Sequence, residues 1–71
     1  MTYKVSDKVQ IIKNNGYPKF DKYIGMVGTI VKIFGSTGNM YDIKFPNYPY
    51  PTSWIEDEFE PYDEGIIDYD L

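Results

Sequence analysis

The sequence contains no cysteine, no histidine, no arginine and no alanine, and its one leucine is Leu71. Each absence excludes something. Without cysteine there is no disulfide, no thiolate metal site and no thiol chemistry, so the chain suits a reducing compartment. Without histidine the usual base at neutral pH and the commonest metal ligand are missing. Without arginine the chain lacks the forked donor that reads carboxylate and phosphate in pairs. Scarce alanine and leucine argue against helices. No apolar run approaches the length needed to span a bilayer. The opening stretch MTYKVSDK lacks the apolar region of a signal peptide, and the expected compartment is the cytoplasm.

Lysine, asparagine, isoleucine, tyrosine and phenylalanine take the vacant places, a usage that suits an AT-rich genome such as that of a low-GC bacterium or its phage. Isoleucine, valine, tyrosine and phenylalanine favour strands. With 71 residues there is room for one domain. A chain of that size buries only about 60% of its unfolded surface. Charge is split along it. The seven lysines lie in residues 1–45 against Asp7, Asp21 and Asp42, which leaves +4. Residues 46–71 hold eight acids and no lysine, so the sum is −4.

Lys8-Val9-Gln10-Ile11-Ile12 reads as a first strand with Val9 and Ile11 on one face. Asn14 to Pro18 is a turn cluster, and residues 13–23 read as a long loop. Gly25 to Phe34 is a second strand, in which Gly28 suggests a bulge or sharp bend. Gly35 to Asn39 makes a hairpin turn. Met40 to Phe45 alternates cleanly, with Tyr41, Ile43 and Phe45 on one side and Asp42 and Lys44 on the other. Prolines 46, 49 and 51 make the next stretch a loop. Thr52 to Ile55 is a fourth strand, Glu56-Asp57-Glu58 a single helical turn, and Phe59 to Tyr62 a closing strand. The expected fold is all-β: a small five-stranded closed barrel over residues 1–62, with one helical turn before the last strand. Residues 63–71 read as a flexible acidic tail.

Two stretches carry a family resemblance. Lys8-Val9-Gln10-Ile11, a loop and then Gly25-Met26-Val27-Gly28-Thr29-Ile30 resemble the KOW-type pattern of SH3-like barrels. Tyr41-Asp42-Ile43-Lys44-Phe45, a loop and then Trp54-Ile55-Glu56-Asp57-Glu58-Phe59-Glu60-Pro61 are similar to the ending of such barrels. The peripheral photosystem I subunit with an SH3-like barrel has the same order of elements. The resemblance spans roughly residues 5–62 and implies a fold. It carries no family-specific site, since the superfamily serves unrelated functions.

Candidate binding residues fall into two sets. Tyr17, Phe20, Tyr23, Tyr48, Tyr50 and Trp54 form an aromatic set in and beside the two long loops, suited to gripping another protein. Glu56, Asp57, Glu58, Glu60, Asp63 and Glu64 form an acidic rim. It either steers a basic partner or is merely a solvated face. Lys13, Lys19 and Lys22 among the loop aromatics sketch a nucleic-acid patch, but an acidic chain without arginine is poorly suited to phosphate. No Ser-His or Cys-His arrangement, phosphate-cradling loop, metal set or EF-hand spacing occurs. Asp57 and Glu60 are a carboxylate pair with little concavity to exclude water around them. The expectation is a non-enzymatic protein-interaction module without cofactor. Its partner would be a basic or nucleic-acid-handling protein, and a phage-encoded inhibitor is one form it could take. The rival expectations are a KOW-like nucleic-acid binder and an accessory subunit of a larger complex.

Overall fold

Period-two alternation governs the first strand, β1 (Lys8–Ile11), where Val9 and Ile11 are buried between outward Lys8 and Gln10. The computed structural model describes residues 3–62. After β1 come a 3-10 helix (Pro18–Tyr23), β2 (Val27–Phe34), β3 (Met40–Lys44), β4 (Thr52–Ile55), a 3-10 turn (Glu56–Glu58) and β5 (Phe59–Pro61). The five strands form one antiparallel sheet in the order β4-β3-β2-β1-β5. The described residues are thus all-β with little helix.

The sheet does not close into a barrel through strand pairing. β4 and β5 are its two edges, with the turn Glu56–Glu58 carrying the chain from one to the other. Ile12 and Lys13 donate their backbone N–H groups to the Glu58 carbonyl, at 2.8 and 3.3 Å, which continues the β1–β5 ladder into the turn. The sheet also curls far enough for Tyr41 of β3 to meet Phe59 of β5 edge to face, with ring centroids 5.3 Å apart. Pro61 is tolerated because β5 is an edge strand.

The curl has two local causes in β2. A register break lies between Ile30 and Lys32: Ile30 faces Ile43, whereas Lys32 already faces Asp42. One extra residue, Val31, is pushed out to solvent, so that Ile33 rather than Lys32 turns inward opposite Tyr41. Gly28, the expected bulge, instead marks a close approach. A Cβ there would lie 2.5 Å from Ile43 Cγ2, 2.8 Å from Phe45 Cε1 and 2.9 Å from the Lys44 carbonyl oxygen. Only glycine lets β3 lie this close to β2 at that point.

The core is aromatic at both ends and aliphatic between. Val9, Ile11, Ile30 and Ile43 fill the middle. Tyr23, Phe45 and Trp54 close one end, and Tyr41 and Phe59 the other, where Tyr3 packs over both rings at 5.7 and 5.0 Å. Burying each large apolar side chain of this kind stabilises by about 1.5–3 kcal/mol. Among the described residues no buried side-chain polar atom lacks a hydrogen-bond partner. None of their helices is long and apolar enough to cross a membrane.

Candidate functional site

The first long connection, read from sequence as loop throughout, is built around the 3-10 helix Pro18–Tyr23. Pro18 sits at its first turn, where its missing N–H costs nothing. Asn14 organises the approach to it: its amide donates to the Tyr17 carbonyl and, at 2.8 Å, to the Asp21 carboxylate. Its own oxygen accepts the Gly16 N–H at 3.1 Å. At the far end, Gly25 donates to the Ile11 carbonyl at 2.8 Å, returning the chain to the sheet.

Glu58 pins this connection to the sheet. One carboxylate oxygen accepts the Ile55 N–H at 3.0 Å, reaching back over its own turn as in a capping box. The other accepts the Asn15 N–H at 2.7 Å, across 43 residues of chain. Glu58 therefore does not belong to the exposed rim expected from the acidic run. It is buried, only 7% exposed, and both its oxygens serve the backbone. Glu56, Asp57 and Glu60 are exposed. Glu56 accepts the Tyr41 hydroxyl at 3.1 Å, and Asp57 lies 3.9 Å from Lys13 Nζ. Asp63 and Glu64, like the rest of the expected tail, lie outside the described residues.

The six aromatic residues separate into layers. Trp54 is buried and holds its indole N–H on Thr52 Oγ1 at 2.7 Å, and Tyr23 is buried beside it. Phe20 lies half-buried over both, with centroids 5.4 Å from Trp54 and 5.6 Å from Tyr23. Tyr17 stacks on the outside of Phe20 at 5.6 Å and is 64% exposed. Tyr48 is half-buried against Tyr23 at 5.0 Å. Tyr50 is 76% exposed and no ring contact joins it to the others. Five of the six thus form a continuous stack running from core to surface, with Tyr50 apart from it.

A groove of about 220 Å³ opens beside this stack, between the first connection and the β3–β4 hairpin. Tyr17 and Phe20 line one side, Met40 and Ser53 to Ile55 the other, and Glu58 with Asn14 and Asn15 its end. Ser53 donates to Asp42, which lies outside the lining, at 2.6 Å. The lysines of the connection are engaged locally. Lys19 lies 6.0 Å from the Phe20 ring, and Lys22 lies 5.6 Å from Tyr23 and 5.4 Å from Tyr48.

Sequence reasoning missed three participants: Tyr3 over the far end of the core, the Tyr41–Glu56 hydrogen bond, and Glu58 as latch. The last had a signal. Glu58 is the third residue of a turn that follows Ile55, the position from which a glutamate reaches back to the capping amide. Burial first, and then the Glu56 hydrogen bond and charge, push the Tyr41 phenol above its ordinary pKa; burial and neighbouring Glu56, Glu60 and Asp7 do the same for Tyr3. No group of three or more metal-binding side chains occurs among the described residues. Comparison with protein-family models, with curated proteins and with solved structures gives no match.

Proposed function

We infer that the chain is a non-enzymatic protein-interaction module of the SH3-like type, whose binding face is the groove between the first connection and the β3–β4 hairpin. The strand order, the long first connection and the single 3-10 turn before β5 support the SH3-like reading. One observation carries the function: an apolar groove held open by a buried carboxylate, with Tyr17 at its lip largely in solvent. A preorganised groove of this kind loses little entropy when an extended peptide enters it. Tyr17 would cover an aliphatic side chain seated over Phe20 and Trp54. Glu56 and Asp57, exposed on the turn that ends in Glu58, would attract a basic flank. A basic surface is what a nucleic-acid-handling protein presents, and blocking such a surface is one way an inhibitor acts.

Direct nucleic-acid binding through Lys13, Lys19 and Lys22 has less support. Lys13 is near Asp57, and three lysines on a chain of net charge −4 neutralise few phosphates. The test is selection from a displayed random peptide library on the immobilised full chain at low salt. Selected peptides carry lysine or arginine beside an aliphatic residue, bind more weakly as salt rises, and lose binding to Tyr17→Ala. Peptides whose affinity ignores both salt and Tyr17→Ala would refute this reading.

A further inference from the structure

A second recess, of about 440 Å³, lies where the start of β2 meets the β3–β4 connection. Met26 and Val27 form one wall, and Pro46, Asn47 and Tyr48 the other. It shares no lining residue with the first groove.

Its second wall is a tight turn. Tyr48 donates its N–H to the Phe45 carbonyl at 3.3 Å, Pro46 occupies the second position, and Asn47 takes the third at φ 71°. That is the arrangement of a type II turn, where proline presets one angle and asparagine tolerates the left-handed one. Two ammonium groups lie against this turn. Lys44 Nζ donates to the same Phe45 carbonyl at 3.0 Å, and Lys22 Nζ stands 5.4 Å from the Tyr48 ring centroid. None of the five lining side chains is charged. The one acid on the 3-10 helix, Asp21, accepts from Asn14, which lines the other groove. Neither lysine lines the recess, but both lie against the turn that forms its wall, so a mostly apolar recess is bordered by positive charge, the reverse of the acid-flanked groove.

We propose that this recess binds an acidic peptide segment with interleaved apolar residues, seating an apolar side chain between Met26 and Tyr48 and its carboxylates against Lys22 and Lys44. A peptide fits better than a nucleic acid. Phosphate-backbone affinity comes from neutralising many charges, and two lysines on a chain of net charge −4 supply few. Only the Tyr48 ring offers a stacking face, since Tyr23 behind it is buried. The chain's own sequence contains a segment of the required chemistry, Ile-Ile-Asp-Tyr-Asp-Leu at residues 66–71. It supplies a defined probe and also a built-in competitor.

The test titrates isotope-labelled full chain with the synthetic peptide Ile-Ile-Asp-Tyr-Asp-Leu. A parallel titration uses full chain carrying Ile66→Ser and Ile67→Ser, which removes the competitor. The expected result is movement of the Met26, Val27, Asn47 and Tyr48 amide signals in one or both proteins. Replacing both aspartates of the peptide by asparagine, or introducing Lys22→Glu, weakens binding about tenfold. Tyr17→Ala leaves it unchanged, which separates this site from the first groove. Binding seen only in the double-serine chain supports the proposal and names the chain's own segment as the native occupant. Three results overturn it: no shift at those four residues in either protein at about 1 mM peptide, shifts centred instead on Tyr17 and Trp54, or the same four residues answering to oligothymidylate but not to the peptide.

Discussion

Replacing Glu58 tests whether the groove is held open by a single carboxylate. Its two oxygens accept N–H groups from residues of unequal exposure: Ile55 is half-buried, Asn15 exposed. In Glu58→Ala both donors lose their partner. The Ile55 N–H is part-buried, and leaving it unpaired costs about 1–3 kcal/mol. The Asn15 N–H can turn to solvent, so its loss adds about 0.5–1 kcal/mol, the net value of an ordinary hydrogen bond. Relief from burying a charge offsets part of this. The expected destabilisation is about 2–3 kcal/mol. Glu58→Gln keeps one oxygen and turns an NH2 group against the other donor. Asn15 then swings to water, at about 1 kcal/mol.

Against a total of roughly 4–11 kcal/mol for a chain of this length, both changes are large. Each kcal/mol lowers Tm by about 4–8 °C in a domain this small. Urea unfolding read by Trp54 fluorescence gives the global loss, since Trp54 is the only tryptophan and is 1% exposed. Amide exchange separates the two arms of the latch. In Glu58→Gln the Asn15 amide exchanges faster while Ile55 stays protected; in Glu58→Ala both quicken. Both variants lying within about 0.5 kcal/mol of the native chain would refute the latch, because that is the range of an ordinary surface change.

Other substitutions probe the frame around it. Gly28→Ala puts a methyl group within 2.9 Å of the Lys44 carbonyl, a backbone atom, as well as two core side chains. It should cost about 1–3 kcal/mol by urea unfolding, whereas Gly16→Ala, with nothing within 4 Å, should fall within about 0.5 kcal/mol of the native chain. Tyr41 and Tyr3 are raised above the unfolded tyrosine value of about 10. Their contribution is therefore complete below that pH and is lost as pH rises through the folded pKa. Tyr41→Phe should flatten the alkaline fall in stability, and an unchanged slope between about pH 9 and 11 would contradict the assignment. Asp7 is lowered, chiefly by the Lys4 backbone N–H at 2.9 Å and then by the Lys4 side chain. Its contribution is present above the unfolded carboxylate value and is lost as pH falls through the folded one. Asp7→Asn should flatten the acid limb below about pH 4.

The strands were legible where their signal is local. Tyr41, Ile43 and Phe45 alternate with Asp42 and Lys44, and the burial follows that alternation residue by residue. Even the β2 bulge leaves a trace, since Ile30 and Ile33 stand three apart while their partners Ile43 and Tyr41 stand two apart. Closure was not legible. Whether β4 and β5 pair depends on how the turn Glu56–Glu58 spans the seam, and a three-residue stretch of acid says nothing of that geometry. The 3-10 helix was missed because three rings spaced by three are too short a run to signal a helix, and what holds it is distant: Asn14 on Asp21, and Phe20 on Trp54.

The candidate site was half legible for the same reason. Residue type separates rings from acids but does not say which ring lies above which. Of Tyr17, Phe20 and Tyr23, spaced by three, residue type marked Phe20 as the one most apt to be buried, whereas Tyr23 is the buried one. A tight helix puts such residues on one side, and the sheet then ranks them by depth, with Tyr23 in the core, Phe20 as floor and Tyr17 as lip. Glu56, Asp57 and Glu58 looked alike. The short turn points Glu58 inward, where it holds the connection that carries Tyr17, and leaves the other two facing water. Ring and acid are thus mechanically coupled through Asn15. A change at Glu58 should loosen Tyr17 as well, so that peptide affinity at the groove falls further in Glu58→Gln than the loss of one buried charge would cause. Equal affinities for Glu58→Gln and the native chain, with the Asn15 amide already exposed, would show that the groove keeps its shape without the latch.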